Sequence, residues 1–154
     1  MRSGDAHEVL TGLPDARYEV VVRDAFAVTQ VSGHLTTRGF VRQVRRVLTP
    51  DGVYVANMGD GSATLEWARS EAGTALQVFR HVALVAEPAQ FHGLRYGNVV
   101  LFASDGELPV VALGRRLASG AVRAQMVEGD AARAFAAGRS PLDDPAPGER
   151  PESR

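Results

Sequence analysis

The stretch YEVVVRDAF, residues 18–26, decides how this chain is read. Its three consecutive valines, Val20, Val21 and Val22, read as a short strand with both faces buried, because such a strand need not alternate apolar with polar side chains. The run stops at Asp24, where the strand would leave its sheet. An acid in that place has two meanings. It is a carboxylate offered to a ligand, or it is only the polar end of a core strand.

Upstream, GDAHEVL places Asp5 as an N-cap with Glu8 three residues on, a capping-box spacing that predicts a helix. GLPDAR turns the chain into the strand. Downstream, AVTQVSG is a polar, flexible loop leading to a helix over about 37–48, whose apolar face is Phe40, Val41, Val44, Val47 and Leu48. Arg42, Arg45 and Arg46 fall on its solvated side, and His34 is read as helix-entry packing or surface. TPDG, residues 49–52, turns into a second buried strand, VYVANM. GDGS follows, with Ser62 as N-cap of a helix that runs to about Val78. Its stripe is Leu65, Ala68, Ala72, Leu76 and Phe79, and Trp67 flanks it as a packing residue.

Strands are expected at 81–86 and 98–104, joined by a short connection without helical pattern, which permits antiparallel neighbours. Two Ala/Arg-rich helices follow, at about 109–118 and 121–136. Residues 138–154 are rich in proline and charge and are expected to form a disordered tail beyond a domain of residues 1–137. Strands alternating with helices argue for an α/β layer with a mostly parallel sheet. Ligands in such sheets bind beyond the carboxyl ends of the strands. That edge comprises residues 24–33 and 57–61, where Asn57, Met58 and Asp60 would line a pocket.

Composition narrows the chemistry. A chain of 154 residues suits one domain, and a net charge of -1 with a pI near 6.4 offers nothing to a polyanion such as nucleic acid. There is no cysteine, hence no disulfide, thiolate metal site or thiol nucleophile. His7, His34, His81 and His92 are scattered without metal-ligand spacing. Every basic residue is arginine, so Schiff-base chemistry by a lysine is excluded. The N-terminus lacks an apolar signal region, and no run approaches the roughly 18–20 apolar residues a bilayer crossing needs. A cytoplasmic protein without membrane contact is expected.

Taken together, DAF followed by HLTTRGF, the LTPDG turn before a buried strand, VFRHVALVA and GNVVLFASD resemble the C-terminal half of spermidine synthase-like proteins, the polyamine aminopropyltransferases, over residues 2–106. These belong to the class I S-adenosylmethionine-dependent methyltransferase fold, which is Rossmann-like. The resemblance implies that the strands here are the fourth to seventh of that sheet, the last lying antiparallel between its neighbours. It assigns Asp24 as the catalytic acid that positions an amine and takes its proton. It also implies nucleoside contacts by Asp5 and Ala6 of the GDA motif, and by Asp24 and Ala25.

The implied co-substrate is S-adenosylmethionine or its decarboxylated form, and the implied acceptor is a small amine. Two departures follow from the same comparison. No Gly-x-Gly turn after a strand precedes residue 24, so the chain is expected to be truncated and to hold no nucleoside tightly alone. Ala27 stands where the aminopropyltransferases carry a second carboxylate for the polyamine. The first strand would then be a sheet edge, open to a homodimer or a partner chain. A methyltransferase and a non-catalytic domain that completes a partner are the alternatives.

Overall fold

The computed structural model describes residues 4–25, 33–60, 63–120 and 123–144. Its elements run α1 (Ala6–Thr11), β1 (Tyr18–Arg23), a 3-10 turn (Gly33–Leu35), α2 (Arg38–Val47), β2 (Leu48–Asp60) and α3 (Glu66–Val78). There follow β3 (His81–Ala86), α4 (Pro88–Phe91), β4 (Gly97–Ser104), α5 (Val110–Ala118), β5 (Gln125–Glu128) and α6 (Gly129–Ala136). The sheet order is β1-β2-β4-β3-β5. β1 pairs parallel with β2, whereas β4 runs antiparallel to both β2 and β3 and sits between them. The expected reversed strand is therefore present, inserted beside the earlier one.

Alternation along β2 separates the two faces of the sheet. Tyr54, Ala56, Met58 and Asp60 are buried, and the residues between them are half-buried. The buried face carries the helices: Val44 and Val47 of α2, Ala72 and Ala75 of α3 and Ala132 of α6 join Val99 and Leu101 of β4 in one core. The alternating pattern of β2 is that of a strand packed heavily on one side only.

Several expectations need correction. β1 is not buried on both faces: Val20 is 55% and Val22 is 65% exposed. A run of valines reads the same whether or not a layer lies above it, and here none of the described elements covers these two. The second strand is longer than VYVANM. It takes in the expected turn, and the register jumps from Tyr18 opposite Leu48 to Val20 opposite Val53. The connection after β3 contains α4, a short helix whose N-cap Glu87 and Gln90 complete a capping box.

The predicted helix over 121–136 divides. Met126 and Val127 extend into β5 and pair with Val85 and Leu84, and Gly129, at φ +56°, then starts α6. Residues 139–144, placed in the expected disordered tail, lie against α2 and α3. Leu142 accepts from the Arg38 N–H at 2.7 Å and donates its own N–H to Thr74 Oγ1 at 2.8 Å. The Asp144 carboxylate accepts from the Thr37 hydroxyl at 2.7 Å and the Gly39 N–H at 3.0 Å. Any side chain at Gly39 would collide with that carboxylate.

Of the arginines read as a solvated face, Arg45 bonds Asp105 at 2.6 Å. Arg46 is a clamp: it donates to the carbonyls of Leu13 at 2.8 Å and Leu10 at 3.0 Å, and pairs with Asp15. Trp67, expected to pack, is 45% exposed. Ser62 lies outside the described residues. The helix it was to cap starts later, at Glu66, after Leu65 at φ 52°.

Asp60 does the capping instead. Its Oδ2 accepts from the N–H of Trp67 at 2.9 Å and of Ala68 at 3.2 Å, and the residue is buried. Asp60→Ala is accordingly expected to lower stability by about 0.5–2 kcal/mol in urea denaturation, with Asp60→Asn closer to the unaltered chain.

Candidate functional site

Asp24 follows the last residue of β1, and its exposed carboxylate stands at the carboxyl end of the parallel pair. Asn57, from the neighbouring β2, donates its Nδ2 to Asp24 Oδ1 at 2.9 Å. This bond joins two residues 33 positions apart and fixes the carboxylate against the sheet. Oδ2 of Asp24 makes no hydrogen bond among the described residues, and the amide oxygen of Asn57 is buried without a partner there. Asp24 is exposed, so its Oδ2 can accept from an N–H donor.

Of the other residues placed on this edge, Met58 is core and Asp60 is the helix cap described above. Ala25 is half-buried and packs on the core, whereas Ala27 is outside the described residues.

Asp5 caps α1, its Oδ1 accepting from the N–H of His7 at 2.9 Å and of Glu8 at 3.2 Å. His34, read as packing or surface, instead brings Nε2 to Asp5 Oδ2 at 2.7 Å. Hydrogen bonding from the Glu8 amide outweighs burial and, with His34, holds the Asp5 carboxyl below the usual range. A carboxylate accepts about four hydrogen bonds, and three are in use, so Oδ2 retains room for one donor such as an adenine amino group. Ala6 opens α1 and is exposed. Among the described residues Asp5 and Asp24 share no hydrogen bond or ion pair.

One arrangement was not expected from the sequence. Arg23, one residue before Asp24, turns its side chain to the helical face, where it is 4% exposed. Its Nε donates to the Tyr54 hydroxyl at 3.0 Å, and Nη2 pairs with Glu71 of α3. Burial pushes the Glu71 carboxyl up to about 7, with Arg23 opposing, and pushes the Tyr54 hydroxyl up to about 12. Burial also works against the Arg23 cation, and Glu71 and Tyr54 more than offset it. The cluster anchors the end of β1 from which Asp24 emerges. A strand arginine followed by an acid was the available signal, but its partner is 48 residues away.

Among the described residues no group of side chains is placed to hold a metal ion, and no helix is long and apolar enough to cross a membrane.

An α/β sheet with its last long strand reversed and an acid ending the first strand of the parallel pair is a partial Rossmann-like, methyltransferase-type fold. Among solved structures, a probable spermidine synthase from Corynebacterium glutamicum ATCC 13032 is 35% identical, with a TM-score of 0.87 over 97% of this chain. The chain belongs to the spermidine synthase-like family of the class I S-adenosylmethionine-dependent methyltransferase fold. It spans about half, 55%, of that relative's length.

Two further structures support the fold alone. A spermidine synthase in complex with the transition state analogue AdoDATO is 21% identical, with a TM-score of 0.55, and the match covers 68% of this chain and 36% of that one. Spermidine synthase from Thermotoga maritima is 18% identical, with a TM-score of 0.54, covering 70% and 35%. No family model and no curated protein matches the chain.

Proposed function

We propose that this chain supplies the acid-bearing part of a cytoplasmic aminopropyltransferase, which moves an aminopropyl group from decarboxylated S-adenosylmethionine to a small amine. The observation that carries this reading is Asp24: an exposed carboxylate at the end of a parallel strand, held by Asn57 at 2.9 Å with its second oxygen turned to no other described residue. Family membership supports it, and so does the likeness to the probable spermidine synthase of Corynebacterium glutamicum.

The chemistry asks little beyond position. The amine nitrogen attacks the carbon beside the sulfonium, the C–S bond breaks, and its electron pair stays on sulfur as a neutral thioether. The nitrogen then gives a proton to Asp24. Holding amine and sulfonium in line supplies most of the advantage, and the carboxylate favours the cationic nitrogen as charge builds. Asp5, with Ala6 beside it at the start of α1, is assigned the adenine end, and Ala25 the wall next to Asp24. Contacts to the ribose and the propylamine tail come from residues outside this set.

Calorimetric titration tests the reading. The 154-residue chain alone is expected to give no micromolar binding of decarboxylated S-adenosylmethionine, and a chain completed at the β1 edge is expected to bind it and to yield an aminopropylated diamine by mass spectrometry. Micromolar binding by the chain alone removes the incomplete-site reading. Binding without transfer by the completed protein removes the aminopropyl chemistry.

A further inference from the structure

Resting on that reading, we propose that Asn98 receives the far end of the acceptor amine, and that this acceptor is an amino alcohol, with one ammonium and one hydroxyl, in preference to a diamine. The strand register places the residues. Arg23 lies opposite Ala56 and is buried with it, so Asp24, next along, rises on the other face beside Asn57, to which it is bonded at 2.9 Å. On β4, Val99 lies opposite Met58 and both are buried, so Asn98 stands on the face that Asp24 and Asn57 share. Asn98 is exposed, and its amide makes no hydrogen bond among the described residues. Directly opposite it is Gly59, which has no side chain to fill the space between the two polar ends.

The spacing suits a short molecule. Two strand spacings across the sheet and two residues along it set the α-carbons of Asp24 and Asn98 roughly 11–12 Å apart. Two hydrogen bonds of about 2.9 Å take up half of that. What remains, roughly 6 Å, spans an amine and a hydroxyl joined by about four carbons.

The acids at this end of the sheet show why one ammonium fits and a second does not. Residues 25–37 and 61–65, which lie beyond β1 and β2, contain no acid. Asp60 is buried under the two N–H groups it caps. Glu87 accepts from Arg95 at 2.9 Å, and Glu66 from Arg139 at 2.7 Å. Asp5 is engaged by His34 and assigned to the nucleoside. Asp24 is left for a cation. A second ammonium would face the neutral Asn98 and shed water for a weaker partner. A hydroxyl both donates and accepts, as an amide does, and matches Asn98 without desolvating a charge. A diamine still enters, held through one end.

The test titrates the 154-residue chain, at low salt, with aminobutanol, diaminobutane and butylamine, following the side-chain amides of Asn57 and Asn98 by NMR. Aminobutanol is expected to shift both amides, and butylamine to shift Asn57 alone with about 5-fold weaker binding. Diaminobutane should bind within about 2-fold of aminobutanol. Asn98→Asp supplies a second carboxylate and is expected to tighten diaminobutane about 10–100-fold, while aminobutanol changes little. Asp24→Asn is expected to weaken all three. Asn98 is exposed, so its variant should keep the unaltered denaturation midpoint.

A preference of the unaltered chain for diaminobutane by about 10-fold or more overturns the proposal. So does an Asn98→Asp variant whose affinity for diaminobutane is unmoved. Either result leaves the aminopropyl reading standing. No shift at Asn57 with any of the three amines removes Asp24 as an amine site, and the functional reading falls with it.

Discussion

Glu71→Ala is expected to destabilise the fold by about 3–5 kcal/mol, among the largest effects of any single side chain here. The substitution strands the Arg23 guanidinium, which is 4% exposed and cannot give up its proton. One of its nitrogens, Nη1, is already buried without a partner among the described residues, so it has no alternative to fall back on. Glu71→Gln keeps a hydrogen-bonding carbonyl in place and is expected to cost clearly less. Chemical denaturation of the two variants beside the unaltered chain checks the difference.

The same pair sets a pH dependence whose sign is opposite to that of most ion pairs. Burial raises the Glu71 carboxyl from an ordinary 4.5 to about 7, so between these values the folded chain keeps a proton that the unfolded chain has released. Stability therefore falls as pH rises across this window and levels off above it. The loss is expected to be on the order of 1–3 kcal/mol and to vanish in Glu71→Gln. The absence of any Glu71-dependent change in stability from pH 5 to 7 would show instead that Arg23 dominates and the carboxylate is ionised throughout.

Asp24→Asn is expected to reduce aminopropyl transfer by the completed protein by about 10²–10⁴-fold, the usual contribution of a positioned general base. The replacement amide can still accept from Asn57, and Asp24 is exposed, so the stability change should stay within about 0.5 kcal/mol. A structural role alone would move the denaturation midpoint. A catalytic role lowers turnover and leaves that midpoint in place. Unchanged turnover in the variant would take Asp24 out of the mechanism.

How much of this was legible from the chain itself depends on the distance over which each feature acts. The apolar runs around Val21, Tyr54, Leu84 and Leu101 mark four strands because burial is written in neighbouring residues. The cap at Asp5 is local too. The run QMVE hides β5, since four residues beside an Ala-rich helix carry no periodicity of their own. Arg23 and Glu71 lie 48 residues apart, and Asp5 and His34 lie 29 apart, on elements whose approach no local pattern encodes. The place of β4 and the role proposed for Asp24 came from resemblance, which carries pairing information that spacing lacks. Exposure of Val20 and Val22 was hidden for another reason: a strand does not record whether its second face has a neighbour.

The insertion of β4 also governs how the molecule can be made. Among the described residues β4 is the only strand that joins the β1–β2 pair to the β3–β5 pair. A nascent chain that has emerged only as far as α4 holds every residue of β1, β2 and β3, yet the strands that will flank β4 have nothing to join them. Closure waits for residues 97–104, and these must slide between two strands already able to pair wrongly with each other. During synthesis β2 and β3 are thus two open edges at once, a state in which aggregation competes with completion. Delaying the emergence of residues 97–104 is expected to prolong that hazard, whereas a delay once they have emerged should be harmless.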